Sequence, residues 1–181
     1  EGVNPTVFSY IVGDVTIEAW IKPDAFRTDW AAIVDKSEDN RYGGYSVFLS
    51  SGGALWLGTS RSNGSNYNIQ SGNNAIQFGE WNHIAGVIDR TNGQLRLYVN
   101  GVLVQSGNVA FTDDTDGFNT SGDLRIGWPT RFSTAHRLYE GAIDDVRVWS
   151  TARTAQELAD GMPGVASDSA GLVAAYEPSG I

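Results

Sequence analysis

Residues 15–23 read VTIEAWIKP, and their strict alternation decides the fold. Val15, Ile17, Ala19 and Ile21 fall on one face of an extended chain. Thr16, Glu18, Trp20 and Lys22 fall on the other, the pattern of a strand with one buried face. Pro23 cannot donate to a ladder, so it ends the run. Working outward, the same period predicts strands at Ala32–Lys36, Tyr45–Ser50, Ala54–Thr59, Trp81–Asp89, Gln94–Val99, Val102–Gly107, Leu124–Gly127, Ala142–Ser150 and Leu172–Tyr176. A shorter pairing segment is expected at Asn68–Gln70. Asn100-Gly101 supplies the positive φ of a two-residue hairpin turn, and Asn92-Gly93 and Gly52-Gly53 read as two more. Three hairpins in series make a meander. One helix is expected near Thr154–Asp160, where Thr154 and Glu157 fit a capping box and Gly161 suits a C′ position. The fold class is therefore all-β, a two-sheet antiparallel sandwich with one short helix.

Composition narrows the function. The 181 residues carry 12 Lys+Arg and 21 Asp+Glu, a net charge of −9. Nucleic-acid affinity comes largely from cations neutralising phosphates, so no nucleic-acid partner is expected. No apolar run reaches the roughly 20 residues that span a bilayer, so no membrane insertion is expected. At 41% hydrophobic and 18% charged, the chain builds a core. With no cysteine, disulfides, zinc–thiolate sites and thiol nucleophiles are excluded. His83 and His136 alone are left for imidazole chemistry.

The order of motifs adds to this. VTIEAWIKPD is followed by IVDKS and GGYSVFLS, then GEWNHIAGVID and GQLRLYVNGVLV, then LRIG, EGAIDDVRVWSTARTAQEL and GLVAAY. Together they resemble the laminin-G-like, concanavalin A-like jelly-roll domains of bacterial extracellular proteins. The resemblance runs from about Val15 to Tyr176, within a single domain over residues 1–181 whose first fourteen residues are atypical. It implies the architecture shared by legume lectins, pentraxins and laminarinase-type glycoside hydrolases, a scaffold that hosts enzymes, lectins and passive modules alike.

Hydrolases similar to this chain carry carboxylates at alternate positions of one strand (E-x-D-x-E or E-x-D-x-x-E), which sets an acid and a nucleophile about 5–5.5 Å apart for retention. No such string occurs here. The acidic clusters Glu38-Asp39 and Asp113-Asp114-Asp116 fall in polar loops, where Asp is a turn former. His83, in WNHIAGVID, reads as a packed strand histidine, and His136 as a surface one. The expectation is a protein without enzymatic activity.

For metals, the resemblance to laminarinase-type hydrolases implies one structural Ca²⁺, with Asp144 as its ligand. The other reading of Asp144 and Asp145 is that they bond backbone amides or pair with Arg147 or Arg153. A pentraxin-like calcium site would need carboxylates where this chain has Trp128-Pro129-Thr130-Arg131-Phe132.

Trp20, Trp81 and Trp149 lie in the motifs that carry the resemblance and are expected to pack structurally. If their strands are neighbours, Glu18 faces Arg147 and the indoles of Trp20 and Trp149 stack. Trp30, Tyr42, Tyr67, Trp128 and Phe132 fall in predicted loops, where an aromatic ring can stack on a sugar while Arg and Asn bond its hydroxyls. The candidate ligand-binding residues are Trp128, Arg131, Tyr67, Asn66, Tyr42 and Arg41, with Arg61 and Arg137 beside them. These readings point to a non-catalytic carbohydrate-binding or adhesive module, extracellular and part of a longer precursor. Its expected partners are a glycan or a cell-surface protein, together with neighbouring domains. The alternative is a structural or protein-interaction module, which joint burial of Trp30, Tyr67 and Trp128 would favour. A glycan-active enzyme ranks third.

Overall fold

Val15, Ile17, Ala19 and Ile21 are all buried, and they form the inner face of strand β1 (Val15–Pro23). The structure, a computed structural model, describes residues 11, 13–24, 30–37, 44–60, 66–111, 122–129 and 138–177. After β1 come β2 (Trp30–Ser37), β3 (Gly44–Ser50), β4 (Leu55–Ser60), β5 (Asn66–Gln70), β6 (Asn82–Asp89), β7 (Gln94–Val99) and β8 (Val102–Asn108). The chain continues through β9 (Arg125–Ile126), β10 (Gly141–Trp149), helix α1 (Ala155–Gly161) and β11 (Leu172–Tyr176). A six-stranded sheet has the order β11-β10-β1-β6-β7-β8, and a five-stranded sheet the order β5-β4-β3-β2-β9. Every pairing is antiparallel. Inner residues of both sheets, among them Ile17, Val47, Leu57, Ile88, Leu97 and Val148, share one hydrophobic cluster.

The expected hairpin connections are present but divided. One meander, β2 to β5, supplies four strands of the five-stranded sheet, and a second, β6 to β8, forms an edge of the other. Gly52-Gly53 lies in a three-residue loop, 51–53, closed by the Ser50 N–H bonding the Ala54 carbonyl. Asn100 (φ 49°) and Gly101 (φ 77°) make the two-residue turn between β7 and β8. Asn92-Gly93 does not make another. Asp89 pairs with Gln94, which leaves the four residues 90–93 in that loop. The Asp89 carboxylate accepts from the Asn92 backbone N–H and side-chain amide, so a side chain shapes this turn.

Helix α1 begins where expected. Thr154 and Glu157 form the reciprocal capping box. Gly161 is the last helical residue rather than a C′ glycine, with Met162 as the C-cap. Glycine suits this position through packing, since a Cβ there would sit 3.3 Å from the Arg153 guanidinium. The helix lies on the outer face of the six-stranded sheet, where Leu158 is buried with Ala85, Val87 and Tyr98.

Candidate functional site

The five-stranded sheet has an inner face of Tyr45, Val47, Leu49, Leu55 and Leu57, all buried in the core. Alternation therefore sends their neighbours to the outer face. β3 turns Ser46, Phe48 and Ser50 outward, and β4 turns out Trp56 and Gly58. β2 contributes Trp30, opposite Ser50, and Ala32, opposite Phe48. Phe48 is also opposite Trp56, and their rings meet edge-on, 5.6 Å apart at 71°. Trp30, Phe48 and Trp56, all half-buried, thus share one outer face across three adjacent strands.

Gly58 makes room for this arrangement. A Cβ there would collide with the six-membered ring of Trp56, so the indole tip occupies the place of the missing side chain. Along the neighbouring edge strand β5, Asn66, Asn68 and Gln70 are exposed and stand opposite Ser60, Gly58 and Trp56. Further across the same face, the Ser46 hydroxyl donates to Asp35 Oδ1 at 2.6 Å, with both residues buried. Arg125 of β9 is the ladder partner of Asp35. Aromatic rings beside side-chain amides form a surface that can stack on a sugar and bond its hydroxyls.

Of the residues expected to bind from sequence, Trp128, Tyr67 and Asn66 are described, and these three do not share one place. Trp128, 49% exposed, follows β9 at the end of the sheet where β2 begins, because the Gly127 N–H bonds the Ile33 carbonyl. Asn66 opens β5 at the other end and the other edge. Strand spacing and rise put these two corners on the order of 25 Å apart. Tyr67 is turned inward: it packs on the core, its ring meets Phe111 at 5.2 Å, and its hydroxyl donates to the Ala110 carbonyl. Trp30 is a strand residue rather than a loop one. Arg41, Tyr42 and Arg131, like Arg61, Phe132, His136, Arg137 and the loop acids 38–39 and 113–116, lie outside the described residues.

Phe48 and Trp56 are strand residues, outside the loops in which the sequence places its candidate aromatics. A signal was present in ALWLGT. There Trp56 is out of phase with Leu55 and Leu57, and a glycine follows two residues on.

The six-stranded sheet has a different outer face, closed by α1. Glu18 of β1 stands opposite Arg147 of β10, as expected if these strands are neighbours. The Arg147 guanidinium is 3.5 Å from Glu18 Oε1, which also accepts from Trp149 Nε1 at 2.8 Å. His83 Nε2 is 3.2 Å from Glu18 Oε2, and all four side chains are buried. Burial pushes the Glu18 carboxyl up, but His83, Arg147 and Trp149 outweigh it and hold it below its ordinary value of 4.5. The two indoles do not stack. Trp149 is opposite Thr16, whereas Trp20 is opposite Asp144. Trp149 is instead covered by Arg153, 3.8 Å from its ring centre, and Trp20 meets the His83 ring at 5.3 Å. Trp81 is not packed away: it precedes the first ladder residue of β6 and is 44% exposed.

Asp144 Oδ1 accepts from the Asp145 N–H at 2.7 Å. Asp145 has φ 48° at a bulge of β10, and its carboxylate is held by Arg147 Nε and Nη2. The pairing expected for these acids thus falls to Asp145. No group of three His, Cys, Asp or Glu gathers among the described residues. Calcium takes six to eight oxygens, and the neighbouring Asp145 carboxylate is already held by Arg147. The rest of a cage would fall on backbone carbonyls. No helix among the described residues is long and apolar enough to cross a membrane.

The family model of the concanavalin A-like lectin/glucanases superfamily matches residues 3–159, starting ahead of Val15 and ending within α1. No curated protein sequence matches the chain. Among solved structures, a candidate carbohydrate binding protein from Bacteroides ovatus is 28% identical with a TM-score of 0.70. The match covers 94% of this chain and 45% of that one, so this chain spans less than half of its neighbour. A carbohydrate-binding module of the Ruminococcus gnavus IT-sialidase, bound to α2,3 sialyllactose, is 18% identical over 82% of each chain, with a TM-score of 0.63. A heptameric SAP-like pentraxin from Limulus polyphemus is 21% identical over 92% of this chain and 81% of its own, with a TM-score of 0.61. The last two likenesses are of fold.

Proposed function

The chain belongs to the concanavalin A-like lectin/glucanases superfamily, and from that premise we propose that it is a non-catalytic carbohydrate-binding module of a larger secreted or cell-surface protein. One observation carries the reading: Trp30, Phe48 and Trp56 share an outer sheet face with the exposed amides of Asn66, Asn68 and Gln70. The solved neighbour from Bacteroides ovatus supports the ligand class. Trp56 supplies the stacking surface, Phe48 holds its edge, and the β5 amides bond hydroxyls. A glycan array followed by calorimetry tests this. Trp56→Ala is expected to weaken the best ligand by at least about tenfold, the equivalent of roughly 1.4 kcal/mol. A wild-type protein that binds no glycan sinks the proposal.

Within this reading Asp144 is the proposed calcium ligand, serving structure rather than the ligand face. A second reading, as an interaction module, is favoured by Val102 and Leu103, 64% and 48% exposed on edge strand β8. Apolar side chains at a sheet edge suit contact with a neighbouring domain. Against it, Trp30, Tyr67 and Trp128 are not buried together: the first two are half-buried and Trp128 is exposed.

A further inference from the structure

The carboxamides of β5 are arranged as a line. Asn66, Asn68 and Gln70 occupy alternate positions of one edge strand, all exposed and on the same outer face. Successive members are about 6.7 Å apart, so the line runs about 13 Å. None of the three side chains makes a hydrogen bond among the described residues. Trp56 flanks one end of the line, since its Cα partner is Gln70 and its indole tip lies over Gly58, the partner of Asn68. Asn66 stands one step beyond the ring. A sugar stacked on Trp56 therefore has Gln70 and Asn68 beside it, and Asn66 is left for a second sugar.

The chemistry of the line also selects a ligand class. A carboxamide both donates and accepts, which suits hydroxyl pairs, whereas a sugar carboxylate calls for a guanidinium or ammonium partner. The cation on this face among the described residues is Arg125, on the opposite edge strand and across from Asp35. We propose that the site takes a run of at least two neutral hexopyranose units laid along β5, the first stacked on Trp56 and the next held by Asn66. This rests on the carbohydrate-binding reading above and names its ligand.

The test is calorimetry with cello-, laminari- and manno-oligosaccharides of one to six units, and with 3′-sialyllactose as the anionic probe. Wild-type, Trp56→Ala and Asn66→Ala proteins are compared. Affinity for a neutral series is expected to rise about tenfold or more between one and three units. Asn66→Ala is expected to remove most of that gain, about three- to tenfold, and so to flatten the dependence of affinity on chain length. Asn66 is exposed, so its replacement leaves the fold intact, which a melting curve verifies. Affinity that is flat from one unit upward overturns the proposal. So does preference for sialyllactose that Trp56→Ala abolishes, an outcome that leaves the carbohydrate-binding reading standing. No binding by any probe overturns both.

Discussion

At the residue scale, Glu18 shows how one side chain ties the molecule together. Its carboxylate meets groups from β6 and β10, and Arg147 passes the connection on by donating to the Gly161 carbonyl at the end of α1. Breaking a buried pair by removing one partner costs about 3–5 kcal/mol, because the other charge is left without compensation. Glu18→Gln is expected to cost about 3 kcal/mol at neutral pH, several degrees of Tm. The pH dependence has a definite sign. The folded carboxyl titrates below 4.5, so its contribution is complete above 4.5 and is lost as the pH falls through the folded value. Melting curves of both proteins are expected to converge as the pH is lowered from 4.5 through the folded value. A constant gap would refute this. Of this cluster, the Glu18–Arg147 pairing was legible, because alternation in two strands put both residues on outward faces. The contacts of Trp20 and Trp149 were not. The β10 bulge sets the register between the strands, and alternation within one strand carries no register.

At the element scale, α1 is seven residues long, too short to be stable alone. Its capping box satisfies end groups, but what holds it is the burial of Leu158 against Ala85, Val87 and Tyr98. Thr154→Ala is therefore expected to cost about 1 kcal/mol, and Leu158→Ala about 2–5 kcal/mol. Chemical denaturation of both variants checks the order. Equal costs would show that local helix propensity, rather than docking, dominates. The β5 strand makes the opposite point. Its inward residues Tyr67 and Ile69 close the sandwich, with Tyr67 reaching the Ala110 carbonyl, and its outward residues are left for a ligand. A single strand thus divides structure from function by alternation alone. Tyr67 and Asn66 are adjacent in sequence, yet they serve different faces.

At the scale of the whole molecule, two sheets enclose one core and their outer faces are used differently. The face of the six-stranded sheet is closed by a helix over buried charges, and that of the five-stranded sheet carries aromatics and amides. Calcium at Asp144, in the β10–β1 ladder of the first sheet, would stabilise the fold without touching the second. Adding calcium to metal-stripped protein is expected to raise Tm by mass action, and Asp144→Asn to abolish the rise. An unchanged Tm, with metal removal verified, rejects the ion. By itself the sequence determined the strands, the hairpin at Asn100-Gly101, the capped helix and the sandwich class. Each of these depends on side chains a few residues apart, which alternation and turn chemistry report directly. The tertiary structure alone decided which sheet each strand joins and in what order. It thereby separated Trp128 from Asn66 and brought Trp56 beside the β5 amides. Strand pairing is a non-local choice, made by the fit of inner faces into one core, and no stretch of chain records it alone.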